Sequence, residues 1–217
     1  MKLNNISIRN ILTSVFISCI ILSTQAQSID QKLSDLSAFK QKIKTSSEQL
    51  KTLKTQFVQE KHLNVLEEVM LSEGRFVYLS PNKVRWEYQK PYYYLMILNN
   101  DKVLIKDDQK SSSIKLNENP VFRQINELMI STVKGDILMN DGFSSEVFEN
   151  ANHYKMVLSP KDVQMQDYIS RIEIIIDKKD MSVQSIKIEE PMGDFTLITF
   201  KQKQINAEVS EQEFSLP

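Results

Sequence analysis

Two prolines fence one short strand in this chain. Between Pro81 and Pro91, Val84, Trp86 and Tyr88 alternate with Lys83, Arg85, Glu87 and Gln89. A period of two places the three large apolar groups on one face of a sheet and the charged groups on the other. Such a strand belongs in an antiparallel sheet with water on one side. Its aromatic face has to be covered by a core, a lid or a ligand, and which of these covers it decides the function.

The first residues read as an address. Lys2 and Arg9 precede an apolar run from Ile11 to Leu22, and Thr24-Gln25-Ala26 supplies the small residues of a cleavage site. The run falls short of the roughly 20 residues of a membrane span, so residues 1–26 are expected to be a signal peptide. A single domain over 27–217 is expected to follow. Cys19 raises lipid attachment as an alternative, but the hydrophobic run continues through Ile20, Ile21 and Leu22 where a polar tether would begin. Cleavage after Ala26 removes the only cysteine, so packing rather than disulfides must stabilise the remainder. It also removes two of the 27 basic residues and none of the 28 acidic ones, which leaves a net charge of −3. Nucleic acid is therefore not an expected partner.

Periodicity gives the elements. From Ile29 to Leu50, Leu36, Phe39, Ile43 and Leu50 share one helical face. From Leu53 the period becomes two, with Leu53, Thr55 and Phe57 on one side and Lys54, Gln56 and Glu60 on the other. Strands follow at Gly74 to Leu79, at the proline-fenced block, and at Tyr92 to Leu98 and Lys102 to Lys106. The last two are joined by Asn99-Asn100-Asp101, residues suited to a tight hairpin. Asn119 and Pro120 then open a second helix, whose stripe of Phe122, Ile125, Leu128, Met129 and Val133 ends near Gly135. Five more strands lie between Phe143 and Lys203, giving roughly ten strands and two helices. The class is α+β, mainly antiparallel β.

Catalytic patterns are weak. His62 and His153 are the only histidines, and neither has a neighbour at metal-ligand spacing. Four glycines build no phosphate-cradling loop. The pairs Glu67-Glu68, Asp107-Asp108 and Glu189-Glu190 point to opposite faces if they lie on strands, so they do not converge on a substrate. No catalytic residue, cofactor or metal is assigned, and the chain is not expected to be an enzyme. What stands out is a supply of large soft side chains: Phe57, Phe76, Tyr78, Trp86, Tyr88, the Tyr92-Tyr93-Tyr94 cluster and eight methionines after Ala26. A filled core and an apolar binding pocket carry the same signature.

From Phe57-Val58-Gln59 through Gly74 and Pro81-Asn82-Lys83-Val84-Arg85-Trp86-Glu87-Tyr88 to Pro91, the chain resembles the periplasmic outer-membrane lipoprotein carrier family, LolA-type. Gln59-Glu60-Lys61-His62, Ile174-Ile175-Ile176-Asp177-Lys178-Lys179 and the terminal Glu213-Phe214-Ser215 make it similar to the divergent Bacteroidetes branch. The resemblance implies a strongly curved, unclosed half-barrel sheet covered on its concave face by helices, with an acyl cavity between them. It implies Phe57, Phe76, Tyr78, Val84, Trp86, Tyr88, Leu95 and Ile97 as cavity walls, Phe122, Ile125, Leu128 and Met129 on a lid helix, and Arg85 facing outward. It implies a monomeric periplasmic carrier. Its partners would be acylated lipoproteins, an inner-membrane lipoprotein-releasing ABC transporter and an acceptor at the outer membrane. A carrier of another amphiphile, such as a glycolipid, and an exported lipid hydrolase are the alternatives. Ser80 stands where well-studied members carry a lid-holding arginine, so that latch is not carried over.

Overall fold

The computed structural model describes residues 30–66, 68–116, 130–134, 136–139 and 141–216. Helix α1 (Leu36–Gln49) begins where Asp35 accepts a hydrogen bond from the Ala38 backbone N–H at 2.9 Å, a side-chain N-cap. The sequence pattern placed the start of this helix at Ile29. Instead the cap fixes it at Leu36, and Gln31–Lys32 pair as a short strand, β1. Phe39 and Ile43 form the buried stripe of α1.

Eleven further strands follow: β2 (Thr52–His62), β3 (Met70–Leu79), β4 (Lys83–Lys90), β5 (Tyr94–Asn99), β6 (Lys102–Asp107), β7 (Ser111–Lys115), β8 (Phe143–Glu149), β9 (His153–Pro160), β10 (Arg171–Asp177), β11 (Val183–Glu189) and β12 (Phe195–Ile205). They form one antiparallel sheet in the order β1-β8-β9-β10-β11-β12-β2-β3-β4-β5-β6-β7. Two meanders, β2–β7 and β8–β12, are thus joined where the last strand pairs with the first long one, Phe200 opposite Phe57. β1 and β7 do not meet, so the curved sheet is a half-barrel and not a closed barrel. Among the described residues, twelve strands stand where about ten were expected. The additions are β1 and the serine-rich β7, whose Ser111-Ser112-Ser113 has no apolar alternation to mark it.

Two apolar clusters lie on the concave face. Under α1, Phe39 and Ile43 pack with residues such as Ile137, Tyr154, Met156, Leu158 and Ile174. Beside it, Leu53, Phe57, Phe76, Tyr78, Val84 and Trp86 form the second cluster, onto which the helical residues 130–134 place Ile130 and Val133. Phe200 touches both. A third cluster lies on the opposite face, where Val77, Leu95 and Ile97 are covered by Phe214 from the C-terminal segment.

Candidate functional site

The aromatic face is built by register. Phe57 on β2 pairs with Gly74 on β3, and Gly74 pairs in turn with Tyr88 on β4. A Cβ at Gly74 would stand 2.1 Å from the Glu87 carbonyl oxygen and 2.6 Å from Cζ of Phe57. The missing side chain lets the Phe57 ring lie across the sheet, 4.9 Å from Trp86 and edge-on to Tyr88 at 5.2 Å. Trp86 is the hub: Phe76 meets it at 5.4 Å, Tyr88 at 6.3 Å and Phe200 at 6.4 Å. Tyr88 donates to Gln59 Oε1 at 2.8 Å, and burial pushes its hydroxyl pKa up, with the nearby indole of Trp86 pulling the other way. That indole Nε1 lies close to the hydroxyl but finds no acceptor in hydrogen-bonding geometry among the described residues.

Phe57, Phe76, Tyr78, Val84, Trp86 and Tyr88 therefore sit together on the concave face. Leu95 and Ile97 do not, and this corrects the expectation. Trp86 pairs with Met96 and Val84 with Leu98, so it is Met96 and Leu98 that share the aromatic face, while Leu95 and Ile97 stand opposite Glu87 and Arg85. The expected lid residues Phe122, Ile125, Leu128 and Met129 lie outside the described residues. Sequence reading also missed Phe200, although Ile198 and Phe200 show the alternation that marks it.

The charged side of β4 faces away from the aromatics, yet it is not solvated as expected. Arg85 and Glu87 are buried there. Arg85 Nε donates to Glu87 at 2.8 Å and its Nη1 to the Glu213 carbonyl at 2.9 Å. Arg75 bonds both Glu87 and Glu213. Burial alone would push the Glu87 pKa up, but the hydrogen bonds from Arg85 and Arg75 hold it below the ordinary glutamate value.

Among the described residues, a crevice of about 110 Å³ lies at the seam of the two clusters, bordered by Leu50, Leu53, Val133, Met181 and Ile205. A space of that size holds several waters and is too small for an acyl chain. His62 stacks on Phe195 at 4.1 Å, and His153 sits against Asp30 and Asn150, both at strand ends. Asp107 accepts from the Gln109 and Lys110 N–H groups of a turn. Among the described residues no group of His, Cys, Asp or Glu could hold a metal.

The family described as outer membrane lipoprotein carrier protein LolA matches residues 48–217. The chain belongs to the LolA family. A comparison with curated proteins finds no match. Among solved structures, a LolA superfamily protein of Nitrosomonas europaea is 6% identical, covering 81% of this chain and 97% of that one at a TM-score of 0.42. A putative outer membrane lipoprotein-sorting protein domain of Vibrio parahaemolyticus is 10% identical over 80% and 93%, at 0.45. The lipoprotein LppX of Mycobacterium tuberculosis is 11% identical over 81% and 99%, at 0.47. In this LolA-family chain the half of the sheet that carries the aromatic cluster, β2 to β7, lies within the matched span.

Proposed function

We propose that this chain is a periplasmic carrier that binds the acyl chains of lipoproteins on its concave aromatic face. In this reading the signal peptide is removed near Ala26. The mature protein receives its cargo from an inner-membrane lipoprotein-releasing ABC transporter and hands it to an acceptor at the outer membrane. The observation that carries the reading is one continuous apolar sheet face, Trp86 at its hub, onto which helix α1 and the helical residues 130–134 pack.

Magnitudes favour opening. At about 0.8 kcal/mol per buried CH₂, three chains of roughly fifteen methylenes represent on the order of 36 kcal/mol of shelter from water. Helix α1 is held over the sheet by two large buried side chains, Phe39 and Ile43, together worth about 3–6 kcal/mol. Lifting α1 is the smaller term. The rest of the gross figure is consumed by separating the packed aromatics and by ordering the complex, since net affinities are far smaller. Phe57, Phe76, Tyr78, Val84, Trp86 and Tyr88 then become the cavity wall, with Met96, Leu98 and Phe200 beside them.

The test is to isolate the protein from its native envelope and identify bound acylated polypeptides by mass spectrometry. Stoichiometric lipoprotein is the expected result. Lipid-free protein, together with normal lipoprotein sorting in a deletion strain, would refute the proposal.

A further inference from the structure

Among the described residues, most exposed large hydrophobic side chains gather at one end of the sheet, Leu36 and Ile205 being the exceptions. Strand pairing sets Arg171 opposite Glu189, Glu189 opposite Phe195, Phe195 opposite His62, Lys61 opposite Met70, Glu73 opposite Lys90 and Tyr88 opposite Tyr94. The β9–β10, β11–β12, β2–β3 and β4–β5 connections consequently emerge along one rim of the half-barrel. Each carries apolar groups in water: Val163 and Tyr168, Met192, Val65 and Leu66, and Tyr92, between 50% and 88% exposed. The turns of the opposite rim, at 80–82, 100–101, 150–152 and 178–182, carry no exposed large hydrophobic side chain.

We infer that this rim docks on the neutral interfacial zone of a lipid bilayer. Four separate connections, each offering one or two apolar side chains along the sheet's end, make a row of shallow anchors and not a groove. A row of that kind matches a broad, deformable apolar partner, and tyrosines favour the depth where one end of the ring stays wet. Charge selects the class of surface. At this rim Lys61 pairs with Glu190, Lys90 with Glu73 at 3.0 Å, and Arg171 with Glu189 at 3.0 Å, and the lysines of its connections, Lys110 and Lys161, are outnumbered by Glu68, Asp108, Asp162, Asp167 and Asp194. An anionic surface would gain little from these cations, whereas zwitterionic headgroups need no net charge. The rim is also continuous with the interior: Tyr94 lies 6.3 Å from Tyr88, which leads to Trp86 and Phe57. The inference deepens the carrier reading by giving the face a way to meet lipid directly, and its geometry stands apart from that reading.

The experiment is co-sedimentation of the protein, isolated in water-soluble form from its native envelope, with phosphatidylcholine vesicles at low salt and at about 0.5 M NaCl, where charges more than a few ångströms apart are screened. Binding is expected to survive the salt. It is expected to fall at least about fivefold in Val65→Ser/Leu66→Ser and again in Tyr92→Ser/Met192→Ser, with unchanged far-UV circular dichroism because these side chains touch solvent. Fatty-acid binding, followed at Trp86 in the same variants, is expected to stay within about twofold, which separates failure of the rim from failure of the carrier. Absence of vesicle binding, binding only to anionic vesicles, or equal binding by wild type and both variants would overturn the inference. So would variants that only convert a dimer to a monomer.

Discussion

Only glycine fits position 74, because Phe57 and Tyr88 close over it from the two neighbouring strands and the Glu87 carbonyl stands where a Cβ would go. Gly74→Ala is expected to cost about 1–3 kcal/mol in urea unfolding, as overpacking does, and to displace the Phe57 ring. Glu87 is the other decisive residue. Its pKa lies below the ordinary value of about 4.5 because Arg85 and Arg75 hold the charged form, with Glu213 alongside. A depressed carboxylate contributes stability above its unfolded-state pKa, and that contribution disappears as pH falls through the folded-state value. Glu87→Gln should therefore unfold more easily than wild type at neutral pH, and the gap should narrow below about pH 4.5. A constant gap from pH 7 to pH 3 in denaturant titrations would contradict this assignment.

At the scale of elements, the C-terminal segment does more than its length suggests. Phe214 is nearly inaccessible against Val77, Leu95 and Ile97, and the neighbouring Glu213 bonds Arg75 and Arg85. Phe214→Ala, three residues from position 217, is expected to destabilise the fold by about 3–5 kcal/mol, a core penalty. A loss under 1 kcal/mol by chemical denaturation would show the segment to be ornamental. This element also explains what could be read in the sequence. β4 was legible because one face is aromatic and the other charged, so the period of two is explicit. β5 was not: Tyr93-Tyr94-Leu95-Met96-Ile97-Leu98 is apolar throughout because both faces are covered, one by the aromatic cluster and one by Phe214. With no alternation, local sequence cannot tell Leu95 from Met96, and only pairing with β4 does. The burial of Arg85 escaped for the same reason, since its cover arrives from 128 residues away.

For the whole molecule, helix α1 and the helical residues 130–134 lie on the apolar face of the half-barrel, and the proposed role requires that they can be displaced. Helix α1 is held by two large buried side chains, the sheet is open at β1 and β7, and the interior is rich in side chains that adapt to irregular guests. Trp86 is the only tryptophan and sits at the hub of that interior, so its emission reports on the site without interference. Titration of the protein with a long-chain fatty acid is the most direct measurement. The account predicts a saturable shift in Trp86 emission as the Phe57, Phe76 and Tyr88 rings separate around the chain. Emission that stays unchanged at saturating fatty acid would mean a permanently filled core and would contradict it.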